Sequence, residues 1–481
     1  MREWLRQAAG GLPRQFWFLW TGTLINRLGS FVVVYLAIYL TGQQHFSQSQ
    51  AGIVLGAYGV GGAVGTMTGG VLTDRWGRRP TMLTAQFGAA ALMVGLGLAQ
   101  GFWQILVGAL LLGAFAEGVR PAFQAMMVDV VPDADRVRAY SLNYWAVNLG
   151  FASAAVLAGL AAQFNYLLLF LVDAGTTLVT AVISLIFLAE TRPHRAPAAT
   201  GPRARGGPGL GAIFRDRVFM TFVALNFFIV LVIMQHLSTM PIAMSADGLS
   251  PATFGWVIAI NGLMIVAGQL FVPKLIDGHD RSRVLALSTL IVGVGFGLNA
   301  FAGTAALYAL SVVIWTVGEM LQSPSNSALI AELSPAQLRG RYQGVNSLSW
   351  SGGAALAPIV GGFVQEHRGG GVLWLGCAAI GVLVAAGQLV SGPARERRAK
   401  ALREGAPAYP VAAVTVAAET VAPPVAVALP ATGSAVPRQG RRRPPSGPGP
   451  GPRLSVRRFK NRVISDRADR AARKGDNGPD V

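Results

Sequence analysis

Twelve long apolar runs decide what this chain can fold into. They cover 16–40, 51–72, 82–100, 103–131, 140–162, 166–189, 218–241, 252–275, 284–302, 305–331, 343–364 and 370–391. Each can span a hydrocarbon layer, which needs about 20 residues. The expected fold class is an all-α membrane protein of twelve transmembrane helices. Composition agrees. Hydrophobic residues make up 52% and charged residues 13%, where a soluble domain carries roughly 25% charge. Such a chain cannot clothe a water-facing surface, and the lipid bilayer is its first partner. The first run is too long, and too far from a small-residue cleavage site, to be a removable signal peptide.

The net charge of +18 suggests nucleic acid until the charges are placed. One set of gaps between runs holds Arg2, Arg6 and Arg14; Arg75, Arg78 and Arg79; Arg136 and Arg138; Arg192 to Arg217; Arg281 and Arg283; and Arg339 and Arg341. The alternate gaps hold Arg368 alone. The positive-inside rule then puts both termini in the cytoplasm, and an even span count requires them on one side. The basicity reads as topology, so no nucleic-acid partner is expected. Eighteen further Lys and Arg lie in 393–481. That stretch is dense in Pro and Gly and reads as a disordered cytoplasmic tail, whose basic end could touch anionic lipid. Residues 192–217 read as a flexible cytoplasmic linker between bundles at 1–191 and 218–392.

The single cysteine, Cys377, excludes a disulfide framework within the chain and any Cys-cluster metal site. Five histidines in no HExxH-like pattern leave no metal site in view, and no G-x-x-x-x-G-K-[ST] phosphate loop occurs. An ATP-driven pump is therefore not expected. No nucleophile–base constellation points to an enzyme either.

The chain repeats itself at a spacing of 203 residues. Pro121 pairs with Pro324, Asp129 with Glu332, Arg136 with Arg339, Arg138 with Arg341 and Asn143 with Asn346. The same spacing pairs Gly65 with Gly268, Asp74 with Asp277 and Arg78 with Arg281. Two homologous six-helix halves follow. Duplication of this kind in a membrane protein marks transporters, with the site near the midplane between halves.

The loop after the second run reads Gly70-Val71-Leu72-Thr73-Asp74-Arg75-Trp76-Gly77-Arg78-Arg79-Pro80-Thr81-Met82. It resembles the G-x-L-x-D-R-x-G-R-[RK]-x-x-L signature of the major facilitator superfamily, departing only at Met82. The resemblance covers roughly residues 14–392 and implies twelve helices in two pseudo-repeat bundles. It also implies that the loop network holds the outward-open state and releases on inward opening. The residues make physical sense unaided. Gly70 and Gly77 permit a tight turn, Asp74 suits a helix N-terminus, and Arg75, Arg78 and Arg79 can pair with acids such as Asp129. The closest likeness is to bacterial drug:proton antiporters. The proline of their fifth-span motif is missing from Gly150–Gly159, yet Pro358 stands in the repeat copy, Gly353–Gly362.

Ionisable groups inside spans are costly and mark function by default. Arg27 lies mid-span 1, Glu117 and Arg120 mid-span 4, Glu319 mid-span 10, and Asp173 in span 6. They are the candidates for proton coupling or a substrate cavity, with Asn26 beside them. A static Glu117–Arg120 pair is the competing reading. Gly61, Gly65 and Gly69 form a small-xxx-small stripe on span 2, and Gly353, Ala357 and Gly361, with Pro358 beside them, form another on span 11. Such stripes permit close helix contact, and in the family these two spans meet between the halves.

The leading expectation is a secondary transporter working by alternating access in the plasma membrane. It would export lipophilic or cationic small molecules with a proton gradient and no cofactor, as a monomer. An importer or facilitator of a small metabolite, and a non-transporting sensor or scaffold with a partner-binding tail, stand as alternatives.

Overall fold

The computed structural model describes residues 10–191, 210–269, 271–335 and 338–404. Among them run twelve helices long and apolar enough to cross a membrane. They are α1 Arg14–Gln43, α2 Gln48–Arg75, α3 Arg78–Leu98, α4 Phe102–Val130, α5 Arg138–Ala162, α6 Tyr166–Phe187, α7 Arg217–Ala246, α8 Pro251–Gly268, α9 Arg281–Phe301, α10 Ala305–Leu333, α11 Arg339–Arg368 and α12 Gly370–Arg403. All twelve expected runs are helical, and no strand occurs among the described residues.

Short polar residues start these helices. Ser47 and Gln50 form a reciprocal capping box on α2. Asn165 caps α6, Asp216 α7, Ser250 α8, Asp280 α9 and Thr304 α10. In each, a side-chain oxygen accepts from a backbone N–H that the first turn leaves unpaired. Large apolar side chains such as Met67, Trp103, Leu383 and Val390 point outward and are more than two-thirds exposed. That suits lipid, and the helices bond their own backbone as a bilayer demands.

The repeat is visible in the irregularities. α1 breaks at Gly29–Ser30, between Arg14–Leu28 and Phe31–Ile38. α7 breaks at Met234, between Arg217–Ile233 and Gln235–Ala246, and Met234 stands 203 residues after Phe31. α4 and α10 carry prolines at matching places, Pro121 and Pro324. Arg78 pairs with Asp129 at 3.0 Å, and Arg281 with Glu332 at 3.2 Å.

Three boundaries differ from expectation. Within the stretch read as a flexible linker, Leu210–Arg215 is helical. α8 ends at Gly268, and a separate short helix, Val272–Ile276, follows. Residues 393–403, read as the start of the tail, continue α12 through Pro393. Their charges explain it: Arg398 meets Asp216 at 2.7 Å and Arg403 meets Glu332 at 3.8 Å, tying the extension to the second half. The linker over 192–209 and the tail beyond 404, with its suggested lipid contact, lie outside the described residues.

Candidate functional site: the seam between two halves

α1–α6 and α7–α12 meet at the end that carries the arginine-poor loops. There α2 lies against α11. A Cβ added to Gly52 would fall 2.3 Å from the Pro358 carbonyl oxygen, and one on Gly59 2.7 Å from the Ala354 oxygen. α5 lies as close to α8, where a Cβ on Gly255 would fall 2.3 Å from the Ala155 oxygen. The Tyr35 hydroxyl of α1 bridges both, 2.8 Å from the Ala155 carbonyl and 2.9 Å from that of Pro251. The hydrophobic cluster around these contacts draws on both halves, with Tyr35, Ala155, Phe254 and Ile258 among its members. At the arginine-rich end each cluster belongs to one half, Phe16 with Met127 in one and Phe219 with Tyr342 in the other. A Cβ on Gly70 of α2, or on Gly340 or Gly344 of α11, would meet nothing within 4 Å. The seam is closed at one end and parted at the other.

The glycine stripes expected to join the halves do something else. Gly61, Gly65 and Gly69 face α4 of their own half, where added Cβ atoms would fall 1.9 Å from the Leu110 oxygen, 1.9 Å from the Ala114 oxygen and 2.4 Å from the Gly118 oxygen. The α11 face of α2 is Gly52, Gly56 and Gly59 instead. Nine residues separate Gly52 from Gly61, two and a half helical turns, so they look in opposite directions. On α11, Gly353 and Gly361 press on Val230 and Gln235 of α7, and the Ala357 carbonyl accepts from Gln235 Nε2 at 3.0 Å. Pro358 of that set meets α2, at Gly52.

The intramembrane charges separate into two groups. Arg27, Glu117, Arg120 and Asp173 all lie in the first half, on α1, α4 and α6. Glu117 Oε2 lies 3.1 Å from Arg120, whose side chain is 66% exposed. Asp173 of α6 is buried and accepts from the Val32 backbone N–H at 3.1 Å. It thereby caps the second piece of α1 where the break frees its N–H groups. Asn26 donates to Thr177 at 3.0 Å, fastening α1 to α6. The Arg27 side chain makes no hydrogen bond or ion pair among the described residues, and it lies where α5 comes close: a Cβ on Gly150 would fall 2.4 Å from Arg27 Cβ. Glu319 stands apart in the second half, where it accepts from Asn261 at 2.9 Å. No cation lies within ion-pair distance of it among the described residues.

The arginine-rich loop after α2 is built on Gly77, whose φ of +119° is open to glycine. That turn aims the backbone N–H groups of Arg78 and Arg79 at Glu190, which accepts at 2.9 and 3.0 Å. Arg78 Nε donates to Asp129, and Thr191 donates to the same oxygen at 3.0 Å. The Arg79 guanidinium reaches the Leu185 carbonyl. Asp74 and Arg75 are exposed, and their side chains make no hydrogen bond or ion pair among the described residues. The anion at the N-terminus of α3 is therefore Glu190, because Asp74 ends the preceding helix on the far side of the Gly77 turn.

A family model described as Major Facilitator Superfamily matches residues 19–247 and 236–436. The chain belongs to the major facilitator superfamily. The uncharacterized MFS-type transporter YqjV of Bacillus subtilis is 24% identical over 363 residues, 74% of this chain and 87% of its own length. The multidrug resistance protein MdtH of Escherichia coli is 25% identical over 364 residues, 73% of this chain and 86% of its own. Among solved structures, the nucleoside transporter NupG superposes with a TM-score of 0.65 at 16% identity, over 79% of this chain and 99% of that one. A POT family transporter in complex with 5-aminolevulinic acid gives 0.67 at 15%, over 80% and 98%. At these identities the structural likeness carries the fold alone. This superfamily member is a multi-pass membrane transporter rather than an enzyme.

Three acids of this superfamily member escaped the sequence reading. Glu190 lies just past α6, Asp216 caps α7 while holding Arg398 and the Tyr342 hydroxyl, and Glu366 lies in the last turn of α11. A tally of acids beside the tally of arginines would have raised Glu366, since the arginine-poor gaps hold just Asp247 and Glu366.

Proposed function

We propose that this transporter exports lipophilic or cationic small molecules from a bacterial cell in exchange for protons, by alternating access in the plasma membrane. The observation that carries the reading is the seam, closed at the arginine-poor end and parted at the arginine-rich one. The rule relating basic loops to the cytoplasm puts both ends of the twelve-helix body, and the opening, on the cytoplasmic side, where a cargo for export enters. α1–α6 and α7–α12 are the moving parts. They act as a monomer, with the proton gradient in place of any cofactor. The multidrug relative, at 25% identity, supports the direction and class of cargo.

Glu319 is the proton carrier in this scheme. It is held by a neutral amide and has no cation among the described residues to fix it in the ionised form, so solvent access from either end can load or unload it. The Glu117–Arg120 pair, partly exposed beside Gly62 of α2, meets the cargo. Asp173 and Asn26 keep the broken α1 on α6.

Inverted membrane vesicles with an imposed inward-acid gradient test the proposal. A panel of fluorescent lipophilic cations is expected to accumulate inside them. Accumulation with the opposite vector makes the protein an importer, and absence of flux in both overturns transport of this class.

A further inference from the structure

The two halves share a hydrogen bond at the arginine-poor end that the preceding reading leaves unused. The Ser49 backbone N–H donates to Glu366 Oε2 at 2.6 Å. Ser49 lies in the first turn of α2, just after the Ser47 cap, and Glu366 lies in the last turn of α11. A carboxylate from one half therefore caps a helix of the other. α2 and α11 run antiparallel, and each ends in an acid, Asp74 on α2 and Glu366 on α11. In this state Glu366 is engaged at the closed end, while Asp74, at the parted end, has no partner among the described residues.

We infer that Glu366 is the latch of the closed arginine-poor end, and that its release from the α2 N-terminus belongs to the step that opens that end. The inference rests on the alternating-access reading. An anion at an exposed helix N-terminus shifts a two-state equilibrium by about two- to five-fold. That is enough to bias a cycle and too little to arrest it. The surroundings fit a contact that must come apart. Buried Gln48 Oε1 and Gln365 Oε1, beside the latch on either helix, have no hydrogen-bond partner. The closed seam is thus incompletely satisfied, and the Glu366 bond is a charged contact across it.

Single-molecule energy transfer in nanodiscs reads the latch directly. Dyes go on Phe164→Cys and Phe301→Cys, 85% and 73% exposed at the arginine-poor end of opposite halves, in a Cys377→Ala background. No cargo or gradient is added. Glu366→Ala is expected to shorten the mean dwell of the high-transfer, closed state by about two- to five-fold. Ser49→Pro deletes the N–H donor at a first-turn position that tolerates proline, leaves Glu366 in place, and is expected to shorten the dwell equally. The double variant is expected to add nothing further. A protein that alternates with unchanged dwell in both single variants overturns the latch and leaves alternating access standing. So does a double variant whose effect is the product of the two. A protein that never leaves one transfer state overturns alternating access, and the latch with it.

Discussion

Gly52 and Gly61 lie on one helix and look alike in sequence, yet replacing them should have different consequences. An alanine at 52 places its Cβ 2.3 Å from the Pro358 carbonyl oxygen, about 1 Å inside ordinary contact, and both partners are backbone. Overpacking of this kind costs about 1–3 kcal/mol. On the alternating access proposed above, the contact exists only while the arginine-poor end is closed, so the strain is relieved by opening rather than by unfolding. The same 1–3 kcal/mol then becomes a shift of about 5- to 150-fold toward the state open at that end. An alanine at 61 meets the Leu110 oxygen at 1.9 Å, but within a half, where α2 and α4 stay together in every state. Gly61→Ala should therefore lower the melting temperature in detergent without favouring either open state. The assay pairs thermal unfolding with labelling of a cysteine placed in the α5–α8 seam, such as Ala155→Cys, buried in this state. Gly52→Ala should label faster and melt close to the parent, and Gly61→Ala should do the reverse. Equal melting losses with no change in labelling for Gly52→Ala would refute the division into a permanent and a separable face.

Glu319→Gln keeps shape and hydrogen bonding but cannot ionise; it should abolish flux driven by a pH gradient while exchange at equal pH survives, and normal gradient-driven flux removes Glu319 from coupling. Glu117→Gln should fold, since its partner Arg120 is 66% exposed and an exposed pair contributes about 1 kcal/mol or less; a large loss of thermal stability, recovered in Glu117→Gln/Arg120→Gln, would instead mark a static buried pair. Glu190→Ala strips the anion from the start of α3 and should cost about 0.5–2 kcal/mol, read as a lowered unfolding midpoint, and an unchanged midpoint denies it that role. Asp74→Asn should insert normally yet transport poorly, and a wild-type rate in purified protein contradicts a gating role for the loop.

Span count, repeat spacing and the Arg78–Asp129 pair were legible because each rests on a one-dimensional signal: length of an apolar run, recurrence at a fixed spacing, opposite charges at matching span ends. The glycine stripes show where such signals stop. A period of four says that a helix face is smooth enough for close approach, and α2 has two such faces. Which one meets α11 depends on how the bundle closes. Glu190 and Glu366 were missed for a related reason. Their partners are backbone N–H groups of distant helices, which no residue letter announces. Asp173 was noticed as a charge in a span. Its place at the α1 break needed the break itself, and the Gly29-Ser30 pair alone does not announce one. The continuation of α12 through Pro393 was hidden because the apolar run ends first, and the arginines beyond it are held by Asp216 and Glu332 from elsewhere in the chain.

The matched irregularities separate what the halves share from what each has alone. A proline in α4 and again in α10, and an arginine–acid pair beside each, fall at one spacing, with the breaks of α1 and α7 within two residues of it. Two copies of one six-helix unit would share such features. Among the described residues, other features are found once: the Asp173 cap on α1, the Glu190 cap on α3 where α9 uses its own Asp280, and the bond from Glu366 to α2. These single carboxylates make the halves unequal, and each does so by capping a helix.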